Sequence, residues 1–278
     1  MKTLIALQRQ LVKEGRWDFD YHSPAELISY FPSEIVKPVI EVAEIVKDKR
    51  DPTLHPDTVF QYIDISSVDV EVGEIVRPQE LTGSEAPSRA RKLVRAYDII
   101  ISTCRPTRGA IAVVPEELHG EICSTGFSVI RARDGVNPYY LHYALRLQST
   151  MEQFRKFSTG SSYPAILDSD VEKTKIPVPD LQDQNKIVRS IRISLYERKR
   201  AIEVANRRWA DKNEKTLNAI KLNNFEEFSI EKDMENGILW NLEQVKDRIA
   251  ALPELNANGI SDDFELDLDS PDIEISEA

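Results

Sequence analysis

Between Ser88 and Arg108 the chain carries six cations, Arg89, Arg91, Lys92, Arg95, Arg105 and Arg108, against a single anion, Asp98. A planar guanidinium presents a rigid fork of donors that fits phosphate oxygens and the O6/N7 edge of guanine two at a time. The plain alternative is a strand edge blunted by solvated charge. Strand alternation divides the run: Arg89, Arg91 and Leu93 share one face, while Ala90 and Lys92 point the other way. They cannot all meet one ligand. Arg105, Thr107 and Arg108 belong to a Pro-Thr-Arg-Gly turn, the kind of loop on which recognition groups are usually mounted, and they lead the candidates. A small-polar loop, Phe157-Ser-Thr-Gly-Ser-Ser-Tyr-Pro164, comes second. The Ser158, Thr159, Ser161 and Ser162 hydroxyls, the Gly160 amide and Tyr163 are groups that can approach phosphates or base edges, although the loop taken alone is only a turn.

Other chemistries find less support. Asn137-Pro138-Tyr139-Tyr140 half-matches the Asn-Pro-Pro-Tyr loop that amino-methyltransferases fold around a flipped adenine. The second proline is missing and no glycine-rich S-adenosylmethionine loop precedes it, so an Asn-capped helix start explains the four residues. The acids around Asp168, Asp170 and Glu172 lack the strand-borne spacing of a metal nuclease, and no nucleophile sits in a glycine elbow. Four scattered histidines (His22, His55, His119, His142) show no ligand spacing, which argues against a metal site. Cys104 and Cys123 lie in apolar runs and read as reduced core residues of a cytoplasmic protein.

The elements that must position these groups alternate from Pro38 to Pro179. Short β-rich runs (FQYIDISSVDVEVGEIV, RKLVRAYDIIIST, GAIAVV, EICSTGFSVIRA) precede one helix, NPYYLHYALRLQSTMEQFRKF, and predict an α+β, mixed-sheet domain. An N-terminal amphipathic helix is expected from Leu4, Leu7 and Leu11; the same segment is too polar after Leu7 for a secretion signal. After Pro179 no Gly or Pro interrupts the chain through Leu222, and Val188, Ile191, Leu195, Ile202, Ala205, Trp209 and Thr216 recur at 3-4 spacing, a heptad seam with charged interruptions at Arg198 and Lys212. From Gln182 to Leu222 such a helix is roughly 60 Å long at about 1.5 Å per residue and needs a partner for its seam. Its outer face is basic.

Charge confirms this patchiness. The 278 residues carry a net charge of -11, but nine acids and no Lys or Arg follow Arg248; subtracting those nine leaves -2 for the first 248 residues. The acidic end reads as a disordered or interacting tail. The remainder is close to neutral, which leaves room for a local basic surface. No run approaches the roughly 18 to 20 apolar residues of a membrane span.

Taken in order, FQYIDISSVD, APSRARKLVRAYDIIISTCRPTRG, CSTGFSVIRA, PYYLHYAL, STGSSYPAI and IPVPDLQDQNKIV resemble the DNA-specificity subunit of type I restriction–modification systems over roughly residues 37 to 220. One departure is Ala96-Tyr97 where that family places a Gly before Asp98. The resemblance implies a target recognition domain followed by a long coiled-coil-type helix. The boundaries are a lead-in over 1–36, the recognition domain over 37–180, the helix over 181–223, a short extension over 224–252 and the acidic tail over 253–278. It also implies a non-catalytic role in sequence-specific binding of double-stranded DNA, within the cytoplasm and in phage defence. The expected partners are a DNA adenine methyltransferase subunit, which would hold the S-adenosylmethionine that this chain lacks, and a translocase–nuclease subunit. With one recognition domain and one helix, the chain looks like half of a full-length subunit, expected to pair with its own copy through antiparallel helices and read a split palindrome. A structural adaptor that binds proteins through the helix and tail without reading DNA is the alternative.

Overall fold

A computed structural model describes residues 19–23, 25–160 and 162–222. The lead-in holds a short helix, α1 (Phe19–His22), and two 3-10 turns. Strand β1 (Val36–Pro38), helix α2 (Val39–Val42) and strand β2 (Ala43–Ile45) follow, then β3 (Val59–Ile63), the hairpin β4 (Val68–Asp69) and β5 (Glu74–Ile75), and β6 (Gln79–Thr82). The arginine-rich run supplies β7 (Ala90–Leu93) and β8 (Ile99–Ser102), and β9 (Ile111–Val113), β10 (Ile122–Ser124) and β11 (Phe127–Ala132) complete the main strands. Helices α3 (Pro138–Leu145), α4 (Gln148–Phe157) and α5 (Asp168–Lys173), strand β12 (Lys175–Pro177) and helix α6 (Leu181–Leu222) close the order. The fold is mixed α+β with a long C-terminal helix. The expected helix over Leu4 to Leu11, the extension and the acidic tail lie outside the described residues.

Two four-stranded sheets, ordered β6-β3-β10-β7 and β2-β11-β8-β9, carry the domain. The first contains one parallel pair, β3 with β10; the second is antiparallel throughout. In the second sheet both faces are covered. Ile99, Ile101, Ile111 and Ile130 pack with Tyr140, Leu141, Leu145 and Phe154 from α3 and α4. On the other face Ile100, Ala112, Phe127 and Val129 cluster with Ile63, Val94 and Cys123. That double burial is why β8 reads Ile-Ile-Ile-Ser without alternation, as strands buried on two sides do. Each fully buried isoleucine contributes about 1.5–3 kcal/mol.

Two runs that read as single strands are each broken between the sheets. RKLVRAYDIIIST splits into β7 and β8 at a turn where the Asp98 carboxylate accepts the Arg95 amide at 2.9 Å and Tyr97 adopts φ +69°. That left-handed conformation costs a non-glycine residue roughly 1–2 kcal/mol, and it falls where the resembled motif carries glycine. Tyr97 is held there by its hydroxyl, which donates to Glu116, and by its ring, edge-on to Tyr139 at 6.2 Å. EICSTGFSVIRA divides at Thr125-Gly126 into β10 and β11.

The helix expected from Asn137 to Phe157 is two helices. Asn137 caps α3 as anticipated, its Oδ1 accepting the Tyr139 and Tyr140 amides at 2.9 and 3.3 Å. The break falls at Arg146-Leu147, where Leu147 is extended and Thr150 Oγ1 donates to the Ala144 carbonyl at 2.9 Å.

Helix α6 runs 42 residues. Asp180 Oδ1 accepts the Asp183 amide at 2.9 Å, and Gln184 Oε1 accepts the Asn137 amide at 2.9 Å, fastening its start to that of α3. The chain divides into two units within this helix, 1–202 and 203–278. In the first, Val188 belongs to the main core while Ile191 and Leu195 are half-buried. In the second, Ala205 and Trp209 are exposed, Thr216 is half-buried, and Asp211 pairs with Lys215 at 3.0 Å. The spacing therefore reflects two uses: the first seam residue packs against the chain's own domain, while Ile202 at the end of the first unit and most of the residues after it are open to solvent. Among the described residues, no helix is long and apolar enough to cross a membrane.

Candidate nucleic-acid interface

The two loops singled out in the sequence meet. At the end of β8 the Ser102 hydroxyl donates to the Cys104 carbonyl at 2.7 Å, and Arg105 takes a left-handed conformation (φ 48°, ψ 53°) before a 3-10 turn over Pro106–Arg108. Gly109 leaves that turn at φ +73°. The second loop closes against it: the Arg105 amide donates to the Pro164 carbonyl at 2.7 Å and the Ile166 amide to the Thr103 carbonyl at 3.0 Å. Thr159 and Ala165 exchange backbone bonds at 2.9 Å in both directions, which pinches the Gly160–Pro164 loop shut. Gly160 turns at φ +90°, and a Cβ there would stand 3.0 Å from the Tyr163 carbonyl oxygen.

The Arg105 guanidinium lies over the Tyr163 ring, 4.9 Å from its centroid, and Tyr163 is 76% exposed. This is a cation stacked on an open aromatic face, a geometry worth about 0.5–1 kcal/mol at an exposed site. It orders a long, half-buried side chain whose guanidinium makes no hydrogen bond or ion pair among the described residues. Thr107, Arg108, Thr159, Gly160 and Ser162 are exposed around it. Ser158 turns back, its hydroxyl donating to the Phe154 carbonyl at 2.7 Å. Ser161 lies outside the described residues.

The cations around β7 divide differently. Lys92 shares Ala90's inward side, as alternation predicted, and its Nζ donates to the Phe127 carbonyl at 2.6 Å. Arg91 donates to the Ala90 carbonyl at 2.8 Å and pairs with Asp51 at 3.5 Å; Arg95 pairs with Asp48 at 3.1 Å. Arg89 is exposed. Three of the four thus fasten β7 to its neighbours.

Lys47-Asp48-Lys49-Arg50 forms no motif in the sequence. This run pairs with the outer side of β7: Lys49 bridges to Lys92, the Arg50 amide donates to the Arg91 carbonyl at 3.0 Å, and the Leu93 amide donates to the Asp48 carbonyl at 3.1 Å. Alternating signs disguised it in the sequence. Only the pairing reveals that Asp48 and Asp51 are engaged by Arg95 and Arg91 while Lys47, Lys49 and Arg50 are exposed.

The cysteines are not alike. Cys123 is buried, and burial pushes its thiol up to about 12. Cys104 is exposed, contrary to the core reading, because the chain leaves the sheet at Ser102.

The model of the type I restriction modification DNA specificity domain matches residues 36–206, more than half of the chain, and the chain belongs to that family. Over 151 residues it is 26% identical to the type I restriction enzyme HindI specificity subunit of Haemophilus influenzae, covering 53% of this chain and 32% of that protein. It is 31% identical over 88 residues to the MjaIX specificity subunit of Methanocaldococcus jannaschii, covering 32% of this chain and 20% of that one. The crystal structure of the HsdS subunit from Thermoanaerobacter tengcongensis is 43% identical, with a TM-score of 0.54 over 66% of this chain and 46% of its own. The chain thus spans a third or less of the curated relatives it matches and under half of that solved subunit.

Proposed function

We propose that this chain is a non-catalytic targeting subunit that reads one half of an interrupted target in double-stranded DNA. The observation that carries the reading is the closed double loop in which Arg105, stacked on Tyr163, leads an exposed rim of Thr107, Arg108, Thr159, Gly160 and Ser162. Bases are met by this tip. The methylation chemistry and its S-adenosylmethionine reside in a DNA adenine methyltransferase subunit, a translocase–nuclease subunit joins that complex, and the assembly works in the cytoplasm.

Arg105→Ala should lower affinity for the selected duplex by about 1–3 kcal/mol, roughly 5- to 150-fold, and relax preference at one position. Selection from a random duplex pool, with the methyltransferase present, reads both effects. An unchanged preference would remove Arg105 from the reading tip.

The second part of the proposal is self-pairing. Ile202, Trp209, Leu217 and Ile220 are each at least 43% exposed on α6, an apolar series without cover among the described residues. A two-fold pair of antiparallel helices would bury it and set the interval between half-sites. Light scattering should give a dimer for the native chain and a monomer for Trp209→Asp. A native monomer at the same concentration refutes the pairing.

An adaptor that binds proteins without reading DNA is the competing function, favoured by the internal engagement of Arg91, Lys92 and Arg95. It predicts that the native chain binds duplexes without a steep dependence on salt.

A further inference from the structure

We infer that the outer edge of the first sheet is a binding track for the phosphates of duplex DNA, flanked on Lys92's side by Lys47 and Lys49 and on Arg91's side by Arg50 and Arg89, and distinct from the tip that selects bases. The inference rests on the DNA-reading proposal and assigns a second, sequence-independent surface to it. Lys47, Lys49, Arg50 and Arg89 are exposed, and no ion pair or side-chain hydrogen bond among the described residues engages any of them. The acids that dilute this run in sequence are turned to Arg91 and Arg95 and are neutralised there.

Connectivity to the tip runs through the backbone, with one threonine hydroxyl added. The Thr125 amide donates to the Arg89 carbonyl at 2.9 Å, and Thr103, two residues before Arg105, donates its amide and its hydroxyl to the Gly126 carbonyl at 2.8 and 2.9 Å. The turn Thr125-Gly126 therefore links the Arg89 end of the edge to the base of the Arg105 loop. Buried strands stand behind both, so the interval between track and tip is fixed. Such a pairing of surfaces is what phosphate contacts are for in recognition: they set register along the duplex while base contacts specify sequence. A charged edge that serves only to discourage strand pairing would make no difference to DNA.

The test compares Lys47→Gln/Lys49→Gln/Arg50→Gln with the native full chain, on the selected duplex and on a mixed-sequence duplex, across a salt titration. Neutralising three phosphates accounts for about 2.7 in the slope of log affinity against log salt, so the slope should become shallower by roughly 2–3 on both duplexes. The ratio of the two affinities should stay unchanged. The charge-preserving variant Lys47→Arg/Lys49→Arg/Arg50→Lys should keep the native slope. If the slope does not move while Arg105→Ala still relaxes selection, the track is wrong and the reading stands. If the triple Gln variant loses selectivity, these side chains read bases and are no track. If the native chain binds neither duplex in a salt-dependent way, both track and reading fail.

Discussion

Asp98→Ala should cost the folded domain about 3 kcal/mol or more, the low end of the roughly 3–5 kcal/mol expected when one partner of a buried ion pair is removed. The Asp98 side chain has no exposure, and its two oxygens accept from Arg131 Nε and Nη2 at 2.8 Å each. One of them also accepts the Arg95 amide. A single carboxylate thus closes the turn between β7 and β8 and ties β8 to β11, so its loss strips three charge-assisted bonds at once. The side chain of Arg131 is 31% exposed, and water can reclaim part of its charge, which is why the low end applies. Urea denaturation at neutral pH measures the loss, and a shift below about 1 kcal/mol would show that the pair is dispensable. Arg105 stands just beyond β8, so the variant should also reach the tip: selectivity should weaken at temperatures where the native chain is still folded.

Much of this arrangement was legible in the sequence, because it is encoded locally. The Asn137 cap, the turn before Gly109, the apolar run of β8 and the unbroken stretch of α6 each follow from a few neighbouring residues. Both tip loops were found as candidates for the same reason. What escaped was long-range. Arg105 and Tyr163 are 58 positions apart, and nothing in either loop says that they meet. Lys47 to Arg50 looked balanced because only the pairing with β7 shows which charges are engaged. RKLVRAYDIIIST, which spans two sheets, reads as one strand, since the left-handed Tyr97 carries none of glycine's warning. The 3-4 spacing of α6 was visible, but periodicity cannot tell a stripe buried against its own domain from one left open.

Acid should weaken the domain between about pH 6.5 and pH 4 through His142. Burial, and then the Arg146 guanidinium, push the imidazole down to about 4, partly opposed by its hydrogen bond with the Ile111 carbonyl at 3.1 Å. Because the unfolded imidazole titrates near 6.5, above that pH both states are neutral and the stabilisation is complete. As the pH falls, the unfolded chain takes up the proton first and stability drops, until below about 4 both states are charged and the loss is whole. The full difference is about 3 kcal/mol, of which about 2 should be gone at pH 5. The consequence reaches the helix. Gly73 (φ +73°) sits so close that a Cβ there would be 2.4 Å from His142 Nε2, and Arg146 donates to the Val70, Glu71 and Val72 carbonyls at 2.7–2.9 Å. That grip holds the β4–β5 hairpin, whose Glu71 pairs with Arg198 of α6 at 2.6 Å. A charged His142 beside Arg146 therefore loosens the post that braces the first unit's part of the helix. His142→Gln keeps a donor for the Ile111 carbonyl without a titrating ring, so its urea midpoint should change less than the native one between about pH 7.5 and about pH 5. Equal changes in the two proteins would place the acid sensitivity in other groups.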